Sequence, residues 1–197
     1  MEKITKERWN AAQSAERALH TLSRKDGESH YLQSYTQYFN LLGLSFDLNG
    51  VSVIEIGPAD FPALQHCENY KGWIIEPMPS DILSTICAES EIYLITLPVE
   101  EIEKVPTADE VWVFNVMQHI IDPEVFVSQC KRMGKVIRFF EPINFPTCEY
   151  HPHTFTADDF KGWFGESVNI YQGGSIAGFH QADCAYGTYK SSDHEGN

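Results

Sequence analysis

The sequence predicts an α/β protein built on a doubly wound, mostly parallel sheet that ends in an antiparallel hairpin. Three observations carry this. Short apolar runs alternate with helical stretches five times between residues 51 and 140, the pattern of units that place parallel strands side by side. Two of those runs, residues 51–56 and 72–76, are almost continuously apolar up to a terminal acid, as strands covered on both faces are. Beyond residue 164 the pattern changes to two strand-like segments, 168–172 and 181–190, flanking Gly173-Gly174-Ser175, which reads as a hairpin.

The elements follow in order. Residues 1–47 predict an N-terminal helical cap ahead of a core over 48–190, the whole of 1–197 forming one domain. Trp9, Ala12, Ala15, Leu19 and Leu22 recur at helical spacing on one face. Lys25-Asp26-Gly27-Glu28 breaks that helix. Tyr31, Leu32, Tyr35, Tyr38, Phe39 and Leu42 mark a second, ended by Gly43. These helices either pack at the sheet edge or close as a lid, since tyrosine tolerates a half-open site. After the first strand, residues 61–69 read as a short helix. The second strand stops at Pro77-Met78-Pro79, and Ser80 caps a helix to Cys87. Residues 91–96 form a third strand, 99–104 an irregular link, and 110–116 a fourth strand. Asp122-Pro123-Glu124 supplies a cap, a first-turn proline and an acid for a helix to Met133. Residues 135–140 form the fifth strand, and Thr156-Ala157-Asp158-Asp159 opens a helix to Phe164. Counting the hairpin, the result is a Rossmann-like sheet of seven strands, followed by a polar tail over 191–197.

Composition narrows the function. Hydrophobic residues at 43% and charged residues at 21% suit a soluble globular domain. A net charge of −14 opposes nucleic-acid binding, which draws on cationic contacts to phosphates. The five cysteines include no short ligand pair, which predicts free thiols in a reducing compartment. No stretch is apolar enough for a membrane span, and the N-terminal run is charged, so a cytoplasmic protein is expected. Cys148, His151 and His153 lie within six residues but lack the second half of a ligand set, so no metal is expected.

In open α/β sheets, ligands bind outside the carboxyl ends of the strands. Glu55 closes the first strand, and Glu76 closes the second, 19 residues after Gly57. A carboxylate at the second position can accept both hydroxyls of a ribose. The turn Gly57-Pro58-Ala59-Asp60-Phe61-Pro62 is not GxGxxG; an acid and prolines occupy positions where a pyrophosphate needs free N–H groups. A nucleoside cofactor without phosphate and with positive charge fits such acidic surroundings, and S-adenosylmethionine (SAM) is one.

Over most of residues 51–164 the chain resembles class I SAM-dependent methyltransferases of the small-molecule group. Val53-Ile54-Glu55-Ile56-Gly57-Pro58-Ala59-Asp60 is similar to the first motif, and Glu76 to the ribose-binding acid of the second. Val113-Phe114-Asn115-Val116-Met117-Gln118-His119-Ile120-Ile121-Asp122-Pro123 resembles the fourth-strand segment with its His and Asp-Pro. Phe126, Cys130, Lys131-Arg132 and Gly134 resemble the helix after it, and His153-Thr154-Phe155-Thr156 the segment beyond the fifth strand. Trp9, Glu16 and His20 resemble leader helices of some tailoring relatives.

The resemblance implies a SAM site. Its turn would be Gly57, Pro58, Ala59 and Asp60, with Glu55 toward the methionine ammonium. Glu76, Pro77 and Met78 would hold the ribose, Leu97 and Pro98 would lie near adenine, and Asn115, Val116 and Met117 would line the floor. His119, Glu141 and His153 become candidate bases on the acceptor side. Two family features are missing: an aspartate after the third strand, where Leu97-Pro98-Val99 stands with Glu100 beyond, and the Asp/Asn-Pro-Pro-aromatic motif of nucleobase N-methylation. The expected activity is methyl transfer to a small-molecule acceptor, such as a sugar or lipid-linked intermediate. The alternative is a SAM-binding protein without turnover that acts as a regulatory or interaction partner. A nicotinamide-dependent oxidoreductase is disfavoured by the turn and the hairpin.

Overall fold

The computed structural model describes residues 2–23, 27–104, 106–173 and 182–191. Seven strands form one sheet: β1 (Ser52–Ile56), β2 (Lys71–Ile75), β3 (Tyr93–Ile95), β4 (Ala108–Phe114), β5 (Gly134–Ile143), β6 (Val168–Tyr171) and β7 (Asp183–Lys190). The helices are α1 (Lys6–Ser23), α2 (Gly27–Leu42), α3 (Asp81–Glu89), α4 (Pro123–Met133) and α5 (Ala157–Phe164). The strand order is β3-β2-β1-β4-β5-β7-β6. The strands from β3 to β5 run parallel, and β7 pairs antiparallel with both β5 and β6. The order reverses between β1 and β4, the switch point at which an open α/β sheet leaves a crevice. Ile56 is level with Ile75 of β2 and Val113 of β4, so these three strands end together.

Strand alternation sorts the core into two layers. Ile54, Ile56, Val111, Val113 and Phe139 pack with Phe126 and Met133 of α4 and Phe160 of α5. Val53, Trp112, Phe114 and Phe140 pack with Tyr35, Tyr38 and Phe39 of α2 and Leu83 of α3. Tyr38 stacks on Phe140 with ring centroids 4.3 Å apart, and Phe39 meets Trp112 edge-on at 5.1 Å. The second N-terminal helix is thus a layer of the fold, packed on the sheet face rather than at its edge. Among the described residues no helix is long and apolar enough to cross a membrane.

Several boundaries differ from the sequence reading, the fourth strand among them, which is found at Ala108–Phe114 rather than 110–116. Residues 61–69 form only a 3-10 turn, Ala63–His66, instead of a helix. The chain beyond it is drawn against the segment before β1: Leu48 N donates to Glu68 O, Glu68 N to Phe46 O and Gly50 N to Asn69 O. A helix there would forfeit those bonds. The fifth strand runs on to Ile143 because β7 pairs along its whole length, Ile143 facing Asp183, so Glu141 lies inside a strand and not beyond one. The third strand is cut to Tyr93–Ile95. Helix starts agree with the capping residues: Asp122 accepts from Val125 N, and Thr156 forms a capping box with Asp159. Gly174, Ser175 and Gln181 of the hairpin, Lys25 and Asp26 of the first break, and residues 192–197 of the tail lie outside the described residues.

The β6–β7 contact rests on Gly187. A Cβ there would stand 2.0 Å from Ser167 O and 3.0 Å from Phe139 Cζ. Gly187→Ala is expected to push β6 off the sheet and lower the unfolding free energy by about 2–3 kcal/mol, read by urea titration. An unchanged midpoint would show that this approach does not limit the fold.

Candidate active site

The loops leaving β1, β2 and β4 surround a cavity of about 500 Å³, roofed by α1 and α2. In the loops leaving β1 and β4, Gly57 (φ +62°), Ala59 (φ +56°) and Asn115 (φ +58°) take left-handed backbone. Gly57 is required by space as well as by φ, since a Cβ would meet Val116 Cγ2 at 2.2 Å. The β1 and β4 loops therefore touch across the crevice.

Buried and half-buried carboxylates fix these loops. Glu55 accepts from Ala63 N at 2.7 Å and Leu64 N at 3.0 Å. Glu141 accepts from Val116 N at 2.9 Å and Met117 N at 3.1 Å. Glu100 accepts from Ile121 N at 2.7 Å and Asp122 N at 3.2 Å. Glu76 accepts from Met78 N at 3.0 Å. Burial pushes Glu55 up to about 7 against the two amides that favour its charge. Burial, aided by the charge of Glu16, also lifts Glu76 to about 7, although the Met78 amide and His119 favour its ionised form.

Helix α1 closes the cavity as a strap. Trp9 Nε1 and Gln13 Nε2 donate to His119 O at 2.8 and 3.2 Å. Arg17 Nη2 donates to Met78 O at 2.9 Å and Pro79 O at 3.0 Å. Arg8 donates to Cys148 O and Glu149 O, and Lys6 pairs with Glu101. Among the described lining residues four are acidic, Glu16, Asp60, Glu76 and Glu100. Arg17 is the one Lys or Arg among the described lining residues. The wall suits a cationic ligand.

The structure brings Gly57, Pro58, Ala59, Asp60, Glu76, Pro77, Met78, Pro98, Asn115, Val116 and His119 to this cavity. Five other candidates lie elsewhere. Glu55 is turned behind the β1 turn toward Ala63 and Leu64, away from any ammonium in the cavity. Leu97 is 46% exposed outside it, and Met117 is fully buried beneath it. Glu141 is sealed in β5, where it holds the β4 loop from below. His153 Nε2 is bonded to Ile120 O at 2.9 Å, and burial lowers its pKa, so it serves the neutral scaffold. The lining residues not foreseen as site residues come chiefly from α1 and α2: Trp9, Gln13, Glu16 and Arg17, with Tyr31, Tyr35 and Tyr38. Positions 9, 13 and 16 share one helix face, and polar Gln13 and Glu16 beside an apolar row were the available signal.

The fold is the seven-stranded α/β fold of class I methyltransferases. Among solved structures, the N-methyltransferase NodS from Bradyrhizobium japonicum WM9 with S-adenosylhomocysteine (SAH) matches at a TM-score of 0.64 and 19% identity, over 93% of this chain and 99% of that one. The 1,6-didemethyltoxoflavin-N1-methyltransferase from Burkholderia thailandensis, with 1,6-didemethyltoxoflavin and SAH bound, matches at 0.63 and 9% identity, over 97% and 92%. The plantazolicin methyltransferase BpumL, with a desmethylPZN analog and SAH, matches at 0.60 and 12%, over 93% and 96%. At these identities the likeness establishes the fold. No family model matches the chain, and no curated protein matches it in sequence.

Proposed function

We propose that the chain is a SAM-dependent methyltransferase acting on a small molecule. The observation that carries this is the state of the turn after β1. In a dinucleotide site that turn presents helix N-terminal amides to a pyrophosphate. Here no α-helix follows β1, and the amides of Ala63 and Leu64 are both bonded to Glu55. A phosphate-free, positively charged nucleoside meets none of these obstacles. The neighbouring structures, several with SAH bound, support the same reading.

The residues present fit such a group. Glu76 offers a carboxylate at the end of β2 for a ribose diol, and the bare Cα of Gly57 lets the β1 turn close against Val116 at the cavity wall. The carboxylates of Glu16, Asp60 and Glu76 favour positive charge. When bound, SAM supplies an electrophilic methyl on a sulfonium, which needs little activation. The chain's contribution is then to hold both reactants in line and exclude water. The roof of α1 and the rings of Tyr31, Tyr35 and Phe61 serve that exclusion. We include a sugar or lipid-linked acceptor; the aromatic wall of Tyr31, Tyr35 and Phe61 supports it by offering ring faces.

A thermal-shift series with SAH, SAM and NADH tests this reading. A ligand at 100 times its Kd adds about 2.7 kcal/mol to stability, which for 197 residues is a rise of roughly 5–10 °C. SAH and SAM are expected to give it and NADH to give none. A rise with NADH alone would overturn the proposal. SAH binding without methyl transfer to any acceptor would favour the regulatory alternative.

A further inference from the structure

His119 lines the cavity at the end of the β4 loop, and its ring has a defined set of partners. Nδ1 lies 2.9 Å from Glu16 Oε2 and 3.1 Å from Tyr150 O. Both are acceptors, so Nδ1 carries the proton and Nε2 keeps its lone pair. Among the described residues Nε2 has no hydrogen-bond partner. Glu16 reaches this position because α1 grips the same residue twice more, Trp9 and Gln13 donating to the His119 carbonyl. One helix face therefore sets both the backbone and the ring of His119.

We infer that Glu16 is the positioning residue that makes His119 Nε2 a proton acceptor, and that the small-molecule acceptor is methylated at a hydroxyl or ammonium group that must shed a proton. This rests on the methyltransferase reading. As the acceptor's oxygen or nitrogen forms its bond to the methyl carbon, the carbon–sulfur bond of the sulfonium donor breaks with its electron pair left on sulfur. The acceptor's proton passes to His119 Nε2, before the bond forms for an ammonium, whose nitrogen has no lone pair until then, and as the bond forms for a hydroxyl. The resulting imidazolium is stabilised at Nδ1–H by the Glu16 carboxylate.

The other titratable groups facing the ring allow this. Glu76 acts on it from the end of β2, and His151 and His153 from the segment after β5. The His151 ring stands nearly perpendicular to His119, with centroids 4.7 Å apart. Burial and the neighbouring His119 hold His151 down to about 4, so it stays neutral near pH 7 and does not compete for the proton.

Nitrogen-15 spectra of the histidine rings in cofactor-free protein at pH 8 test the pairing, with the His119 signals assigned by their loss in His119→Gln. The expected spectrum has Nδ1 protonated and Nε2 bare. Glu16→Ala should lower the ratio of Nδ1–H to Nε2–H tautomer about fivefold, the worth of one hydrogen bond. Gln13→Ala, which touches only the carbonyl, should leave the ratio unchanged. If Glu16→Ala does not fold, Glu16→Gln is read instead, with a fall of about threefold expected from loss of the charge. A wild-type ring protonated at Nε2, or a ratio indifferent to Glu16, would overturn the inference. Calorimetry with SAH on the same samples separates the two levels. Heat with SAH and the wrong tautomer removes only the pairing; no heat removes the methyltransferase reading and the base role with it.

Discussion

Glu141→Ala is expected to lower the unfolding free energy at pH 5 by about 2–6 kcal/mol, the largest single-site loss expected. The carboxylate is fully buried and is bonded to the amides of Val116 and Met117. Alanine would leave both donors buried and unpaired, at about 1–3 kcal/mol each. Burial also pushes Glu141 up to about 8, above its ordinary 4.5, despite those amide bonds. A raised carboxyl pKa means that the folded state holds a proton the unfolded chain releases. The contribution of this group to stability is therefore complete below about 4.5 and declines as pH rises toward 8. Glu141→Gln keeps an acceptor and cannot ionise, so it should flatten that decline. Urea titrations of the three proteins at pH 5 and pH 8 measure both effects. A loss under 1 kcal/mol in the alanine variant would mean that water replaces the carboxylate and that Glu141 is not the support of the β4 loop.

Glu76→Gln should move stability and binding in opposite directions. Glu76 is only 9% exposed, and burial lifts it to about 7. At pH 8 it is ionised in both folded and unfolded chains, and the folded state bears the full penalty of a buried charge. Below pH 4.5 it is mostly neutral in both, and the penalty all but vanishes. The glutamine variant should thus be more stable than wild type at pH 8, by up to about 3 kcal/mol, and nearly equal to it at pH 4.5. Its affinity for SAH should fall about 10- to 100-fold, since a carboxylate that accepts two hydroxyls is replaced by an amide with one acceptor. Loss of stability at pH 8 with unchanged SAH affinity would place Glu76 among the structural acids with Glu55 and Glu141.

Those acids also mark how far the sequence could be read. The strands were legible because Val53-Ile54 and Ile74-Ile75 are apolar on both faces of a covered sheet. That acids close β1 and β2 was legible too. Which way each carboxylate points was not, because the amides that capture Glu55 and Glu141 belong to loops whose path is set by tertiary pairing. The same limit applies to residues 61–69, where backbone bonds to the segment before β1 overrode a helical pattern. Glu16 lies more than a hundred residues from His119, and no local pattern ties them; only the docking of α1 across the crevice brings them within contact.

A crystal structure of the SAH complex tests the central claim most directly. Ribose hydroxyls within hydrogen-bond distance of the Glu76 carboxylate, with the homocysteine part passing over Gly57 between Val116 and α1, is the result expected. Well-diffracting crystals grown in saturating SAH with that crevice free of ligand density, or with SAH bound elsewhere, would contradict it.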